Sequence, residues 1–215
     1  MADNLTIWTY DWVPEDPRGF IRDLRLRWAC EEAGLPYAVR TVPFDRRGPE
    51  HFARQPFGQV PFLEDGDLTI FESGAGLLHL AGKSEALMPR DARGRAEVTE
   101  WIIAALNSIE MVSVSWWLLK ASGQENEVLG KWLGKRLSQL NAVLETRDWL
   151  AADRFTAADI LMSDVLRIPD IRGFGEHPAI AGYLDRALER PGFQKARADQ
   201  LAHFERADRR RAGQE

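Results

Sequence analysis

The sequence predicts two parts in series, an α/β N-terminal part built on a small mixed sheet and an all-α C-terminal helical part. Three observations predict this. A strand–helix–strand run opens the chain, a hairpin signal follows around residue 65, and beyond Gly82 strand signals stop and helical periodicity takes over. The opening "LTIWTY" (5–10) is rich in β-branched and aromatic residues, which suit a pleated, half-buried surface. "RGFIRDLRLRWACEEAGLP" (18–36) predicts a helix: Phe20, Ile21, Leu24 and Trp28 recur at helical spacing, and Gly34 and Pro36 end it. "YAVRTVPF" (37–44) predicts a second strand and "GPEHFARQ" (48–55) a short helix. Strand, crossover helix and strand imply a parallel pair, while the hairpin adds antiparallel strands, hence the mixed sheet. Asp65-Gly66, between "PFLE" and "DLTIF", is the dipeptide that a two-residue hairpin loop prefers, and a helix is expected from Ser73 to about Ala81.

In the second part "LMPRDARGRAE" (87–97) is expected to be a linker. From about Arg93 the apolar positions Val98, Trp101, Ile102, Ala105, Ile109, Val112 and Trp116 predict a long amphipathic helix. Val128, Trp132, Leu133, Leu137, Leu140 and Leu144 predict another. Thr156 and Asp159 form a capping box that opens a third, and shorter helices are expected around Pro178 and Pro191. The expected domains are 1–83 and 90–205.

Composition narrows the function classes. With 215 residues, 45% hydrophobic and 28% charged, the chain is long enough to bury a substantial core. A net charge of -5 argues against nucleic acid as a main partner. The basic end "RADRRRAGQE" (206–215) is expected to be a frayed, solvated terminus. Neither a signal peptide nor an apolar run of membrane-spanning length stands out, so no membrane partner and a cytoplasmic location are expected. The single cysteine, Cys30, excludes an internal disulfide and reads as a small buried hydrophobe. His51, His79, His177 and His203 have no mutual ligand spacing, and no metal site is expected.

The most informative stretch is "FGQVPFLEDGDLTIFES" (57–73). Proline donates no hydrogen bond and belongs at a strand's first residue, so Pro61 leaves the neighbouring Val60 backbone unpaired by the sheet. A cis Val60-Pro61 bond would turn the Val60 N–H and C=O outward, where they could clasp an extended peptide as an added strand does. Glu72-Ser73 falls where strand becomes helix. There the Ser73 hydroxyl and the first helical N–H groups form an anion site, and Glu72 can receive an ammonium. The surface suits the two charged groups of an amino acid followed by a peptide backbone.

Together with "DRFTAADILMSD" (153–164), this stretch resembles the glutathione transferase family over about residues 5–200. The resemblance implies that the N-terminal domain is thioredoxin-like, that the proline is cis, and that the protein is a homodimer. It implies that Val60, with Gln59 and Pro61 beside it, holds the cysteinyl backbone of glutathione, and that Glu72 and Ser73 hold the γ-glutamyl end. Glutathione is then a co-substrate, no further cofactor is needed, and an apolar electrophile held between the two domains is the other substrate. Arg46, Arg47 and His51 are candidates for the glycine carboxylate, and Trp116, Trp117 and Asn107 for the acceptor pocket.

The departure lies after the first strand, where the family carries a Ser, Tyr or Cys that holds or attacks sulfur. Here the segment is "TYDWVPEDPRGF", with neither serine nor cysteine. By position after the strand Tyr10 is the nearest hydroxyl, Trp12 stands roughly where a serine would, and Arg18 offers positive charge beside a helix start. Tyr10 and Arg18 are therefore the catalytic candidates, and Trp12 joins the glutathione-binding set. The reading is a transferase that ionises glutathione and conjugates its sulfur, for detoxification; the alternative is a non-catalytic glutathione- or ligand-binding module of the same fold. Glutathione-dependent disulfide reduction lacks the expected active-site cysteine.

Overall fold

A computed structural model describes residues 5–124 and 126–213. The N-terminal elements are β1 (Leu5–Tyr10), α1 (Asp23–Ala33), β2 (Tyr37–Val42), α2 (Pro49–Arg54), β3 (Phe62–Asp65), β4 (Leu68–Phe71) and α3 (Ser73–Gly82). The sheet order is β2-β1-β3-β4, with β1 and β2 parallel and the other pairs antiparallel. Burial alternates along β1: Leu5, Ile7 and Thr9 are buried, whereas Trp8 and Tyr10 point to the opposite face. Trp8 stacks on Phe62 across the β1–β3 pair on that second face. A Cβ added at Gly76 would sit 3.1 Å from Leu26, so α3 approaches α1 closely at a residue without a side chain.

Two local expectations shift. Asp65 pairs with Leu68, so the hairpin loop is Gly66-Asp67 rather than Asp65-Gly66. Gly66 takes the positive φ of 60° at the first loop position, as a type II′ turn demands. Asp65 is kept in the strand by its carboxylate, which meets His79 Nε2 and Lys83 Nζ, both at 2.7 Å, and is held below the usual range by them. The first helix starts at Asp23, not Arg18; residues 18–22 form turns, with Phe20 and Ile21 half-buried outside the helix. Its buried side also takes in Asp23, Arg25 and Arg27. The first and last of these are held by pairing, Arg27 Nε donating to Asp23 Oδ2 at 2.7 Å.

The helical elements are α4 (Ala92–Ala104), a π-helical segment (Ala105–Glu110), α5 (Met111–Ala121), α6 (Glu127–Leu144), α7 (Ala157–Leu166), α8 (Pro169–Arg172) and α9 (Pro178–Leu188). The expected linker ends early, because the Asp91 side chain accepts from Gly94 N at 2.9 Å and starts α4. The capping box is present: Asp159 Oδ2 accepts from Thr156 N (2.8 Å) and Oγ1 (3.2 Å), while Oδ1 accepts from Leu150 N (2.9 Å) and the Tyr183 hydroxyl (3.1 Å). Burial pushes the Asp159 carboxyl up to about 6 against these four donors. Residues 92–121 make one continuous helix that is long and apolar enough to cross a membrane by length and composition only, where no such run was expected. Its Val98, Ile102, Ala105, Ile109 and Val112 are buried, and it packs on α6 and α7. About a third of its most apolar stretch is buried (33%), so it lays one face on the bundle.

The last helix, α10, runs from Pro191 to Arg211. By contacts the chain divides into Glu85–Arg190 and a unit that joins residues up to Ser84 with those from Pro191 onward, so α10 packs with the N-terminal elements, chiefly α1. The expected domain 90–205 placed it with the other helices. The basic end is also more ordered than expected. Residues 206–211 are the last turns of α10, Ala207 is buried, and Arg211 lies 4.2 Å over the Trp12 ring. The final two residues of that expected tail, 214–215, lie outside the described residues.

Candidate glutathione site

Strand register brings the quoted residues together. Phe62 is opposite Phe71 and Trp8 is opposite Phe62. Both ladders stop there, and Pro61, Thr9 and Glu72, then Val60, Tyr10 and Ser73, are the next residues along the three chain segments. All of them therefore gather at one end of the sheet. The Val60-Pro61 bond is cis. Among the described residues no hydrogen bond takes up the Val60 N–H or C=O. The loop before it is held from behind by α2 and the residue after it. The buried Gln55 Oε1 accepts from Phe57 N (2.6 Å) and Gln59 N (3.2 Å), and His51 Nε2 bonds the Gln59 carbonyl at 2.8 Å. These bonds fix the Gln59 and Val60 backbone in place while leaving Val60 free to pair.

Across the hairpin, Glu72 adopts φ 70°, ψ 122°, a region that a residue with a Cβ enters at a cost of order 1–3 kcal/mol. Its side chain is exposed, and among the described residues nothing pairs with its carboxylate. Ser73 is the first residue of α3 and only 6% exposed. Its Oγ accepts from Arg25 Nη1 at 3.0 Å. The first N–H groups of α3 have no partner within the helix, and with the helix dipole they favour an anion there.

The segment after β1 is different. Tyr10 lies at the end of the strand on the α2 face, its ring edge-on to Phe44 and beneath the Arg47 guanidinium, whose Nη2 donates to the phenol oxygen at 3.0 Å. Arg47 also donates to the carbonyls of Gly58 (3.2 Å) and Phe44. Of the three residues considered for a glycine carboxylate, His51 is buried and bonded to Gln59, Arg47 is bonded as described, and Arg46 is exposed. Arg18 forms a two-point ion pair with Asp208 of α10, at 2.5 and 2.8 Å, and donates twice more to the Val13 carbonyl. The Trp12 indole N–H donates to the same Asp208 at 2.8 Å. Arg18 first, then Trp12, holds the Asp208 carboxyl down to about 2. His203, also on α10, bonds the Tyr10 carbonyl at 3.0 Å, and burial lowers its pKa.

Arg25, Gln55 and Asp208 shape the site and were not singled out from sequence as doing so. Arg25 and Asp208 act on partners 48 and 190 residues away, a separation that leaves no spacing signal. Elsewhere, in the helical unit, Asn107 is exposed in the π-helical segment, Trp117 is exposed, and Trp116 stands edge-on to Phe174. Cys30 is buried as expected, and burial pushes its thiol up to about 12.

Residues 16–82 match the family model of the glutathione S-transferase N-terminal domain and residues 118–191 that of the C-terminal domain. Glutathione S-transferase 1 of Zea mays is 34% identical over 193 residues, which cover 81% of this chain and 90% of that one. A crystal structure described as a possible glutathione transferase from Rhodopseudomonas palustris aligns with TM-score 0.71 and 27% identity, covering 88% of this chain and 95% of its own. The yeast prion protein Ure2p in complex with glutathione shares the fold, with TM-score 0.77 at 20% identity over 92% of this chain and 95% of that one. With its thioredoxin-like four-stranded sheet and its helical unit, the chain belongs to the glutathione S-transferase family.

Proposed function

We propose that this protein ionises glutathione and transfers its sulfur to an electrophilic carbon of an apolar molecule. The observation that carries the reading is the sheet end where the β3–β4 ladder stops, with the unpaired Val60 backbone just before β3, and with Glu72 and the Ser73 hydroxyl at the start of α3 just after β4. The Val60 N–H and C=O pair with the cysteinyl backbone as an added strand does. Ser73 and the first α3 N–H groups bind the γ-glutamyl carboxylate, and Glu72 takes its ammonium. Tyr10 is the hydroxyl donor to sulfur: its oxygen already accepts from Arg47, so its proton points elsewhere. A hydrogen bond to the thiolate favours the ionised form, the thiol proton passes to solvent, and the sulfur pair forms the new S–C bond as the leaving group departs with its electrons. Trp12 and Arg18 have their donors engaged with Asp208 and Val13, and their role in this reading is to fix the segment after β1.

Those engaged donors also favour a second reading, a module that binds glutathione without turnover. The ultraviolet thiolate signal of bound glutathione, followed across pH, separates the two. Ionisation near neutral pH with conjugation of a panel of apolar electrophiles supports the transferase; ionisation as in free solution with no conjugation supports the module.

A homodimer and a cytoplasmic location complete the proposal. Phe52, Phe57, Leu68 and Phe71 are exposed on the N-terminal unit, with Phe57 at 67% and its ring against Phe71, and Ile103, Met111 and Leu118 are exposed on the helical unit. Apolar patches of this kind suit burial against a second copy. Sedimentation at micromolar concentration is expected to give the dimer mass, and a monomer would remove that part.

A further inference from the structure

A groove of about 820 Å³ opens within the N-terminal unit, between α1, β2 and α10. None of the residues assigned to glutathione lines it. Arg27 of α1 does, although it is only 2% exposed. Its one hydrogen bond among the described residues runs from Nε to Asp23 Oδ2, at 2.7 Å. A guanidinium has five N–H donors and no acceptor, so the four on Nη1 and Nη2 are left without a protein partner. Nη2 has no exposed surface, and the donors that face the groove are those of Nη1. Buried donors of a charged group are costly to leave unmatched.

Two more groups line the groove from α10, one turn apart. Arg206 is exposed and makes no hydrogen bond or ion pair among the described residues. His203 Nε2 donates to the Tyr10 carbonyl at 3.0 Å. Burial lowers the His203 pKa, aided by the charges of Arg27 and Arg206 and opposed by the Tyr10 bond and Asp23, so both guanidiniums act on one ring. The acids of the groove are already matched. Lys195 Nζ bonds Glu31 at 2.8 Å and Asp199 at 2.7 Å, and the Tyr37 hydroxyl donates to Glu31 at 3.1 Å. Leu35, Pro36 and Val39 add an apolar wall. The groups left over are therefore cationic donors, one set on each of two helices. One guanidinium fork satisfies a planar carboxylate, whereas a phosphoryl group has three oxygens and nearly two charges, enough for both.

We propose that this groove binds a phosphomonoester with an apolar body, its phosphoryl oxygens on Arg27 and Arg206 and its body on Leu35, Pro36 and Val39. The site is separate from that for glutathione, and the inference does not rest on the glutathione reading. A dianion held there offsets the two charges beside His203, so the His203 ring reports occupancy.

The test is calorimetric titration at about pH 8, where a phosphomonoester is a dianion, with phenyl phosphate, benzoate and inorganic phosphate as probes. Phenyl phosphate is expected to bind one to one. Benzoate, for want of a phosphoryl group, and inorganic phosphate, for want of a body, are each expected to bind about tenfold more weakly. Arg206→Gln, a change at an exposed side chain, is expected to weaken phenyl phosphate about tenfold, and Arg27→Gln to do the same. Should Arg27→Gln fail to unfold cooperatively on heating, Arg206→Glu, which repels the dianion, takes its place with a larger expected loss. In NMR spectra the His203 ring signals are expected to move with phenyl phosphate while those of His79 and His177 stay. Saturating glutathione is expected to leave the affinity for phenyl phosphate unchanged. No binding of phenyl phosphate, equal binding of either other probe, wild-type affinity in Arg206→Gln, a still His203 or competition by glutathione overturns the inference.

Discussion

The two sides of the sheet end are finished differently. On the hairpin side, from Gln59 to Pro61 and at Glu72 and Ser73, the scaffold is fixed from behind by Gln55, His51 and Arg25, while Val60, Glu72 and the Ser73 proton are left to a ligand. On the side of the segment after β1, Trp12 and Arg18 are fully drawn into a clasp with Asp208, and Arg211 covers the Trp12 ring. One side is preorganised and open, the other preorganised and closed. An open set of donors and acceptors can recognise a substrate, whereas a closed set can only position its neighbours. That difference leaves Tyr10 as the group with a proton to offer sulfur.

The largest effect expected from breaking this comparison is at Tyr10. Tyr10→Phe is expected to slow conjugation about 10²-fold, the loss that follows removal of one preorganised donor, with glutathione affinity kept. Steady-state rates at saturating glutathione measure it. A clasp that served catalysis directly would instead give the large loss to Arg18→Ala and almost none to Tyr10→Phe.

Next comes the open side. Glu72→Ala and Ser73→Ala are each expected to weaken glutathione binding by about 1.5–3 kcal/mol, the range for a bond to a charged group, with the melting temperature little changed. Unaltered affinity in both variants, read by titration, would remove the assignment of these two residues.

The closed side responds to acid in a defined direction. The Asp208 carboxyl is held at about 2 in the folded protein, below the ~3.9 of an unfolded chain, so the clasp's contribution is complete above ~3.9 and is lost as pH falls through about 2. Between pH 5 and 8 amide exchange in α10 is expected to be insensitive to this group. Asp208→Asn is expected to speed that exchange at pH 7 and to leave the thiol of bound glutathione the more able to meet solvent. Exchange in α10 that is equal in the variant and the wild type would show that the clasp does not hold the helix.

Thr156 lies outside both regions and is the control. Thr156→Ala is expected to lower stability by ~1 kcal/mol through loss of a cap, with binding preserved, as chemical denaturation and titration together can show.

The open side was the legible one. Proline at a strand start and an acid-serine pair at a strand–helix junction are rare enough locally to mark what the backbone does there, and both flank the end of the β3–β4 ladder. The hairpin loop was read one residue early because Asp65-Gly66 and Gly66-Asp67 are equally good turn dipeptides on paper; pairing of the Asp65 carboxylate with His79 and Lys83 decides between them. The closed side was not legible. Asp208 sits in a basic, polar segment that composition alone marks as solvated, and its bonds to Trp12 and Arg18 join opposite ends of the chain. Arg25 was hidden for the related reason that an arginine counts as polar in any periodicity, even where its charge is drawn into the core.

The most direct measurement is the ultraviolet absorbance of the thiolate of bound glutathione titrated from pH 5 to 9, in the wild type and in Tyr10→Phe. The account expects the wild-type protein to ionise the thiol near neutral pH and Tyr10→Phe to return it toward the ~8.5 of an ordinary thiol. A wild-type titration that already matches free glutathione, or one that Tyr10→Phe leaves in place, would contradict the claim that the open side binds the peptide and Tyr10 activates its sulfur.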